Sequence, residues 1–232
     1  MRQPFHGPRS RPHRVAVLVF DDVSVFEMAV PCEVWGIDRT SQGVPPSEVR
    51  VCTADPLPLA TSMGFTIDTA NGLETVEWAD TIVLPAAPKP YTSRPTPPEV
   101  VDALRAAHRR GARLASVCTG AYVIADTGLL DGRRATTHWM WAAELAARHP
   151  EIDVDPSVLY VADAEAGLFT SAGTGASTNC ACPPSRWGGT TMRRATVLAT
   201  SAPWSRRTMC RHMSMPAAVP ADVNSPASAS AT

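Results

Sequence analysis

The sequence predicts an α/β fold with a mostly parallel sheet that is covered by helices on both faces. Two apolar runs, residues 14–20 and 81–84, are rich in β-branched side chains. Continuous runs of this kind are typical of strands that are buried on both faces, as in parallel sheets. Helical patterns lie between the strands, and a chain of 232 residues is long enough for one domain with a full core.

The predicted elements alternate along the chain, as such a fold requires. Strands are predicted at residues 14–20, 48–53, 81–84 and 113–117, with a hairpin at 158–161 and 168–170 and short extended pieces at 65–68 and around Leu73. Helices are predicted at residues 24–35, 98–110, 119–127 and 139–148. Ser24 and Pro98 are typical helix starts, and Gly128 is a typical stop. A proline-rich loop at residues 85–98 is long enough to suggest a functional loop or a spacer.

Composition indicates an ordinary globular protein. The formal net charge of −1 gives the whole chain no general attraction for nucleic acid. No apolar run approaches the roughly 18 residues that a membrane span needs, and the N-terminus lacks the apolar segment of a secretory signal. The six cysteines are irregularly spaced, unlike the disulfide framework of a secreted protein. We therefore expect a cytoplasmic protein without membrane contact.

The two ends of the chain differ from the middle. Residues 1–12 contain arginines, prolines and no acid, which predicts a disordered lead-in. Residues 178–232 lose the aliphatic periodicity and contain a single acid, Asp222, which predicts an irregular tail. The cysteines of this tail and His212 do not match the usual spacing of a zinc site, so no metal is expected.

Cys118 lies at the junction between a predicted strand and a predicted helix. A nucleophile at such an elbow is exposed at the top of a sheet, and the helix N-terminus directs N–H groups toward it. This environment favours the reactive thiolate. Gly120 is small enough to let a substrate approach. The alternative is that Cys118 is a buried structural thiol, because free cysteine is often buried.

His138 and Glu27 are the predicted partners of Cys118. Each is expected near the carboxyl end of a strand, and these ends meet at one edge of a parallel sheet. A thiolate beside an imidazole is a nucleophile with its base. Glu27 would hydrogen-bond the sulfur or hold charge near it, although a carboxylate in a first helical turn can also serve only the helix dipole. His138 can equally be a histidine that is satisfied by packing against Trp139.

Backbone N–H groups complete the predicted site. Those of Thr119, and of the loop at Ala86 and Ala87, would stabilise an oxyanion if the site performs acyl or related chemistry. Thr119, Gly120, Ala86 and Ala87 are therefore the predicted ligand-binding or oxyanion residues, beside the catalytic candidates Cys118, His138 and Glu27.

Several motifs resemble the class I glutamine-amidotransferase-like superfamily, in its PfpI-type branch. They are Glu27 four residues before Pro31, the stretch from Ser116 to Gly120, Ala-Thr-Thr-His138, and residues 168–175. The resemblance implies a flavodoxin-like three-layer sandwich over residues 13–177. It also implies that the cysteine lies on the elbow, that the glutamate contacts its sulfur, and that the histidine lies beside it.

Residues 26–36 and 128–139 are most similar to the N-terminal sensor domains of AraC-type transcriptional regulators. This resemblance implies a ligand- or redox-sensing domain, with a small-molecule ligand and no cofactor, in a homodimer. DNA would be bound only through a helix-turn-helix region, for which this chain has no pattern. Isonitrile hydratase is a second neighbour, and the alternative function is a Cys-dependent hydrolase, hydratase or glyoxalase-like enzyme. We interpret the change of character near Ser177 as a shift of reading frame that removes the last helix of the domain.

Overall fold

The fold was analysed in a computed structural model, which describes residues 11–86 and 95–173. Ala87, most of the predicted lead-in and the predicted tail lie outside these residues, and so does the proposed change of frame near Ser177. Of the lead-in, Arg11 and Pro12 are described. Arg11 forms two hydrogen bonds of 2.8 Å with the carboxylate of Asp80, so the end of the lead-in is attached to the domain.

A central sheet of six strands forms the middle layer. The described strands are β1 (His13–Leu18), β2 (Ser47–Cys52), β3 (Leu59–Ala60), β4 (Thr66–Ile67), β5 (Thr81–Leu84), β6 (Arg113–Val117), β7 (Arg134–Ala135), β8 (Asp153–Val154), β9 (Tyr160–Asp163) and β10 (Leu168–Ser171). The order in the central sheet is β2-β1-β5-β6-β10-β9. All neighbours are parallel except the edge strand β9, which pairs antiparallel with β10 as a hairpin. The predicted mostly parallel sheet is thus confirmed.

The described helices are α1 (Val25–Gly36), α2 (Thr75–Trp78), α3 (Pro98–Arg109), α4 (Ala121–Asp126) and α5 (Ala142–Arg148), with 3₁₀ turns at Thr40–Gln42, Cys118–Gly120 and Trp139–Trp141. Two predicted helices, 119–127 and 139–148, therefore begin with a 3₁₀ turn. The predicted extended piece around Leu73 is wrong, because a turn there leads into α2. Two-residue strands such as β8 were missed because they are too short for a periodic pattern.

Helices pack on both faces of the sheet. On one face Leu18, Leu84 and Leu114 belong to a large core that includes α3 and α4. On the other face Val17 packs with Met28 and the rest of the inner side of α1. This arrangement confirms the three-layer α/β architecture. No described helix is both long enough and apolar enough to cross a membrane.

One side of α1 is apolar and exposed. Phe26, Val30 and Val34, spaced at four residues along the helix, are 65%, 37% and 53% exposed. An apolar groove of about 220 Å³ runs from this helix to β9 and β10. Its lining includes Val117 but not Cys118, so the groove lies beside the elbow and not at the thiol.

The turn after β6 packs tightly against the end of β5. A Cβ atom at Gly120 would lie 2.1 Å from the carbonyl oxygen of Leu84 and 2.5 Å from that of Pro85. Since side chains do not tolerate such distances to backbone atoms, this position requires glycine. The contact places Cys118 at the carboxyl edge of the sheet, next to the end of β5.

Candidate functional site

Cys118 occupies the elbow between β6 and the 3₁₀ turn that precedes α4. Its φ of +57° is in the left-handed region, which non-glycine residues rarely adopt. Such strain persists only where the surrounding structure holds it, and it is concentrated at functional sites. The residue is 7% exposed, so the thiol is nearly enclosed.

Glu27 is the carboxylate at this site. It lies in the first turn of α1 and is only 2% exposed. Its Oε2 accepts a hydrogen bond of 3.0 Å from the backbone N–H of Ala86, at the end of β5. Its carboxylate also accepts a hydrogen bond from the Cys118 thiol. Glu27 therefore faces the sulfur, and the alternative that it serves only the dipole of α1 does not account for its burial.

The protonation of Cys118 depends on opposing groups. Burial, followed by the charge of Glu27 and its hydrogen bond, raises the pKa of the Cys118 thiol to about 12. Thr119 acts in the other direction, because its backbone N–H and its hydroxyl both donate to the sulfur. The raising effects are larger, so the thiol stays protonated at neutral pH.

This result differs from the sequence-based expectation that the elbow favours a thiolate. That expectation relied on a helix N-terminus beside an exposed sulfur. In the structure the sulfur is buried, and α4 contains only six residues after its 3₁₀ turn. Burial and a neighbouring carboxylate therefore outweigh the N–H groups of a short helix.

His138 does not hydrogen-bond to Cys118 in the described part of the chain. Its Nδ1 accepts a hydrogen bond of 3.2 Å from the backbone N–H of Met140, at the start of the 3₁₀ turn. Its ring stacks on Trp139, with 5.6 Å between the ring centres. In a neutral imidazole whose Nδ1 accepts, the proton is on Nε2, which then donates instead of accepting. The geometry thus matches the alternative of a histidine satisfied against Trp139.

The predicted oxyanion groups are differently placed. The N–H of Ala86 is already used by Glu27, so it positions that carboxylate. The N–H of Thr119 faces the sulfur. Gly120 contacts the end of β5, and Ala87 lies outside the described residues. Within residues 11–86 and 95–173, no cluster of three potential ligands for a metal ion is found.

Two residues at the site were not singled out from the sequence. A Cβ atom at Gly173 would lie 2.4 Å from the Cβ of Cys118, so the chain after β10 closes directly over the elbow. The Thr137 hydroxyl donates a hydrogen bond of 2.8 Å to the carbonyl oxygen of Cys118. Two features of the sequence could have indicated these residues. Gly173 lies in a run of small residues, and Thr137 directly precedes His138.

Replacing Glu27 by glutamine is expected to lower the pKa of Cys118, because it removes the negative charge that disfavours the thiolate. A nearby charge typically shifts a pKa by one unit or more, so alkylation of Cys118 at pH 8 should become at least about tenfold faster. The measurement is the rate of iodoacetamide labelling of the Cys118 peptide by mass spectrometry. Glu33→Gln, an exposed change on the same helix, is the matched control and should leave this rate unchanged. Equal or slower labelling of Glu27→Gln would contradict the assigned role of Glu27.

Replacing Gly173 by alanine tests the close contact with Cys118. Gly132 is the control, because its φ of +69° resembles the +57° of Gly173 but no atom lies within 4 Å of its Cβ position. Gly132→Ala should cost only the backbone strain of about 1–2 kcal/mol. Gly173→Ala should cost about 1–3 kcal/mol more through steric overlap. Urea unfolding measures both free energies, and equal losses would show that Gly173 is not compressed against Cys118.

Comparisons with known proteins identify regulators and an enzyme as relatives. A protein of the cpoL 5′ region of Streptomyces lividans is 35% identical over 139 residues, which cover 60% of this chain and 96% of that protein. The HTH-type transcriptional regulator CdhR of Pseudomonas aeruginosa is 33% identical over 128 residues, or 55% of this chain and 37% of the regulator. Isonitrile hydratase of Pseudomonas putida is 27% identical over 55% of this chain and 53% of the enzyme. The chain thus aligns with about a third of CdhR and about half of the hydratase.

Solved structures support the same fold. A transcriptional regulator protein from Vibrio parahaemolyticus superimposes with a TM-score of 0.64 at 18% identity, covering 73% of this chain and 88% of that one. Drosophila melanogaster DJ-1beta gives a TM-score of 0.58 at 20% identity, covering 73% and 86%. The family model described as DJ-1/PfpI family matches residues 13–181. This chain belongs to the DJ-1/PfpI family.

Proposed function

We propose that this domain is the sensor of an AraC-type transcriptional regulator. The site around Cys118 either binds a small molecule or responds to oxidation of the thiol. The observation that supports this function best is the enclosed Cys118 thiol, which lies beside the buried carboxylate of Glu27 and has a raised pKa. A protonated thiol is a weak nucleophile, whereas a fixed carboxylate, a thiol and oriented donors form a selective binding site. The similarity to CdhR favours the same function.

The role of DNA is part of this proposal. In the proposed regulator the ligand-bound state of this domain shifts the DNA affinity of a helix-turn-helix region, and we attribute the change of sequence character near Ser177 to a shift of reading frame. The loss of aliphatic periodicity after that residue supports the idea. Sequencing the gene past Ser177 decides it, since another frame should encode an amphipathic helix followed by helix-turn-helix patterns.

Self-association is also part of the proposal. The exposed apolar stripe of Phe26, Val30 and Val34 on α1 favours a homodimer, because a second copy would remove this surface from water. A dimer is also the usual form in which regulators read two-fold symmetric operators.

A Cys-dependent hydratase, hydrolase or glyoxalase-like enzyme is the second candidate. It is favoured by the left-handed backbone of Cys118 and by the similarity to isonitrile hydratase. In this case Cys118 is the nucleophile, the N–H of Thr119 would turn from the sulfur to the oxyanion, and the proton on Nε2 of His138 is available to a leaving group. Nucleophilic attack would first require Glu27 to accept the thiol proton.

Thermal unfolding with a panel of small metabolites tests the sensor. A ligand present at 100 times its Kd stabilises the folded state by about 2.7 kcal/mol, which corresponds to a shift in Tm of roughly 5–10 °C for a domain of this size. We expect such a shift for at least one compound in the wild type and its loss in Glu27→Gln and Cys118→Ala. Cys52→Ala, a buried change on β2, is the control and should keep the shift.

Turnover assays with acetamide, an alkyl isonitrile and methylglyoxal separate the two candidates. The sensor predicts no turnover of these compounds. Turnover by the wild type that is abolished in Cys118→Ala would overturn the sensor in favour of the enzyme. A panel in which no compound raises the Tm would contradict the ligand-sensing function.

A further inference from the structure

Thr137 makes a direct contact with the elbow. It is 0% exposed, and its hydroxyl donates to the carbonyl oxygen of Cys118 over 2.8 Å. The same carbonyl also accepts the N–H of Ala121 at the start of α4. The carbonyl of a left-handed residue is therefore held by two donors, one from its own turn and one from a segment 19 positions later.

The segment that carries Thr137 is itself fixed. The N–H of Thr136 donates to the hydroxyl of Thr170 on β10 over 2.9 Å, in a buried contact. β10 pairs in parallel with β6, the strand that leads into Cys118. The residue next to Thr137 is thus bonded to a strand of the central sheet, so the Thr137 hydroxyl has little freedom to move.

The consequence follows from the planarity of the peptide bond. The carbonyl of Cys118 and the N–H of Thr119 belong to one peptide plane and point in opposite directions. Holding the carbonyl therefore sets the direction of the N–H. That N–H donates to the sulfur of Cys118, and the Thr119 hydroxyl does the same.

We propose that Thr137 is a positioning residue, which fixes the peptide plane between Cys118 and Thr119 and thereby aims the Thr119 N–H at the Cys118 sulfur. The inference rests on the proposed function in that it takes Cys118 as the centre of the site. Thr137 does not touch the sulfur, and it acts through the peptide plane. Because His138 is the next residue, the same contact also fixes where the histidine begins its turn.

The pH dependence of Cys118 alkylation tests this role without any ligand. Thr137→Val removes the hydroxyl and keeps the shape of the side chain. The freed peptide plane should weaken the donors at the sulfur, so labelling by iodoacetamide at fixed pH between 8 and 10 should be about tenfold slower, which matches the loss of about one hydrogen bond to a charged group. Thr137→Ser retains the hydroxyl and should label at close to the wild-type rate.

Thr136→Val is the matched control. Thr136 is equally buried and also loses a hydroxyl, but that hydroxyl faces the carbonyl oxygen of Thr137 over 3.4 Å and not the elbow. Its labelling rate should equal that of the wild type. An unchanged rate in Thr137→Val, a slow rate in Thr137→Ser, or equal slowing in Thr136→Val would overturn the proposal.

If Thr137→Val does not fold, the proposal is tested by hydrogen exchange of the Thr119 backbone amide in the wild type. An N–H of Thr119 that is held against the sulfur should exchange with solvent far more slowly than an exposed amide. Rapid exchange at Thr119 would overturn the proposal. A failure of the metabolite panel would contradict the ligand-sensing function but leave both of these measurements unaffected, so the two proposals fail separately.

Discussion

The left-handed backbone of Cys118 is the constraint on which the site depends. A non-glycine residue in this conformation costs of order 1–2 kcal/mol, so its neighbours have to maintain it. Gly120 permits contact with the end of β5, and Gly173 permits the chain after β10 to lie against Cys118. Thr137 holds the carbonyl on the remaining side. Each contact comes from a different part of the chain, so the conformation of the elbow depends on the assembled sheet.

The same enclosure determines the chemistry of the sulfur. An elbow exposed to water would favour a thiolate, because its N–H groups stabilise negative charge. Here the turn is covered, and burial together with the carboxylate of Glu27 raises the pKa of the thiol, so the proton stays on the sulfur. The site therefore offers an acceptor, a weak donor and a fixed set of N–H groups. These features suit selective binding more than thiol oxidation, because oxidation is favoured by an exposed thiolate.

The parts of the fold that follow from local pattern could be predicted from the sequence. The apolar runs of β1 and β5 are continuous because both faces of these strands are buried, and this is visible without a structure. Glu27 was placed correctly at the carboxyl edge, because its position in the first turn of α1 follows from the helix start. The strand-to-helix change at Cys118 was visible for the same reason.

The parts that depend on contacts between distant segments could not be predicted. The bond from Thr137 to Cys118 depends on how the segment after β7 lies against β10, the neighbour of β6, and no spacing rule describes it. The orientation of His138 depends on the backbone N–H of Met140, which donates to the imidazole. The pKa of Cys118 is a balance between burial and donors, and only the folded chain determines the depth of burial.

A direct spectroscopic titration of Cys118 tests the claim that this thiol is protonated in the folded domain. The measurement is the ultraviolet absorbance of the thiolate in the wild type minus that of Cys118→Ala, from pH 6 to 11, with folding monitored by circular dichroism. The structure predicts no thiolate signal below about pH 10, in accordance with a pKa raised to about 12. A thiolate that appears below pH 8 in the folded protein would contradict the claim and favour a nucleophilic enzyme.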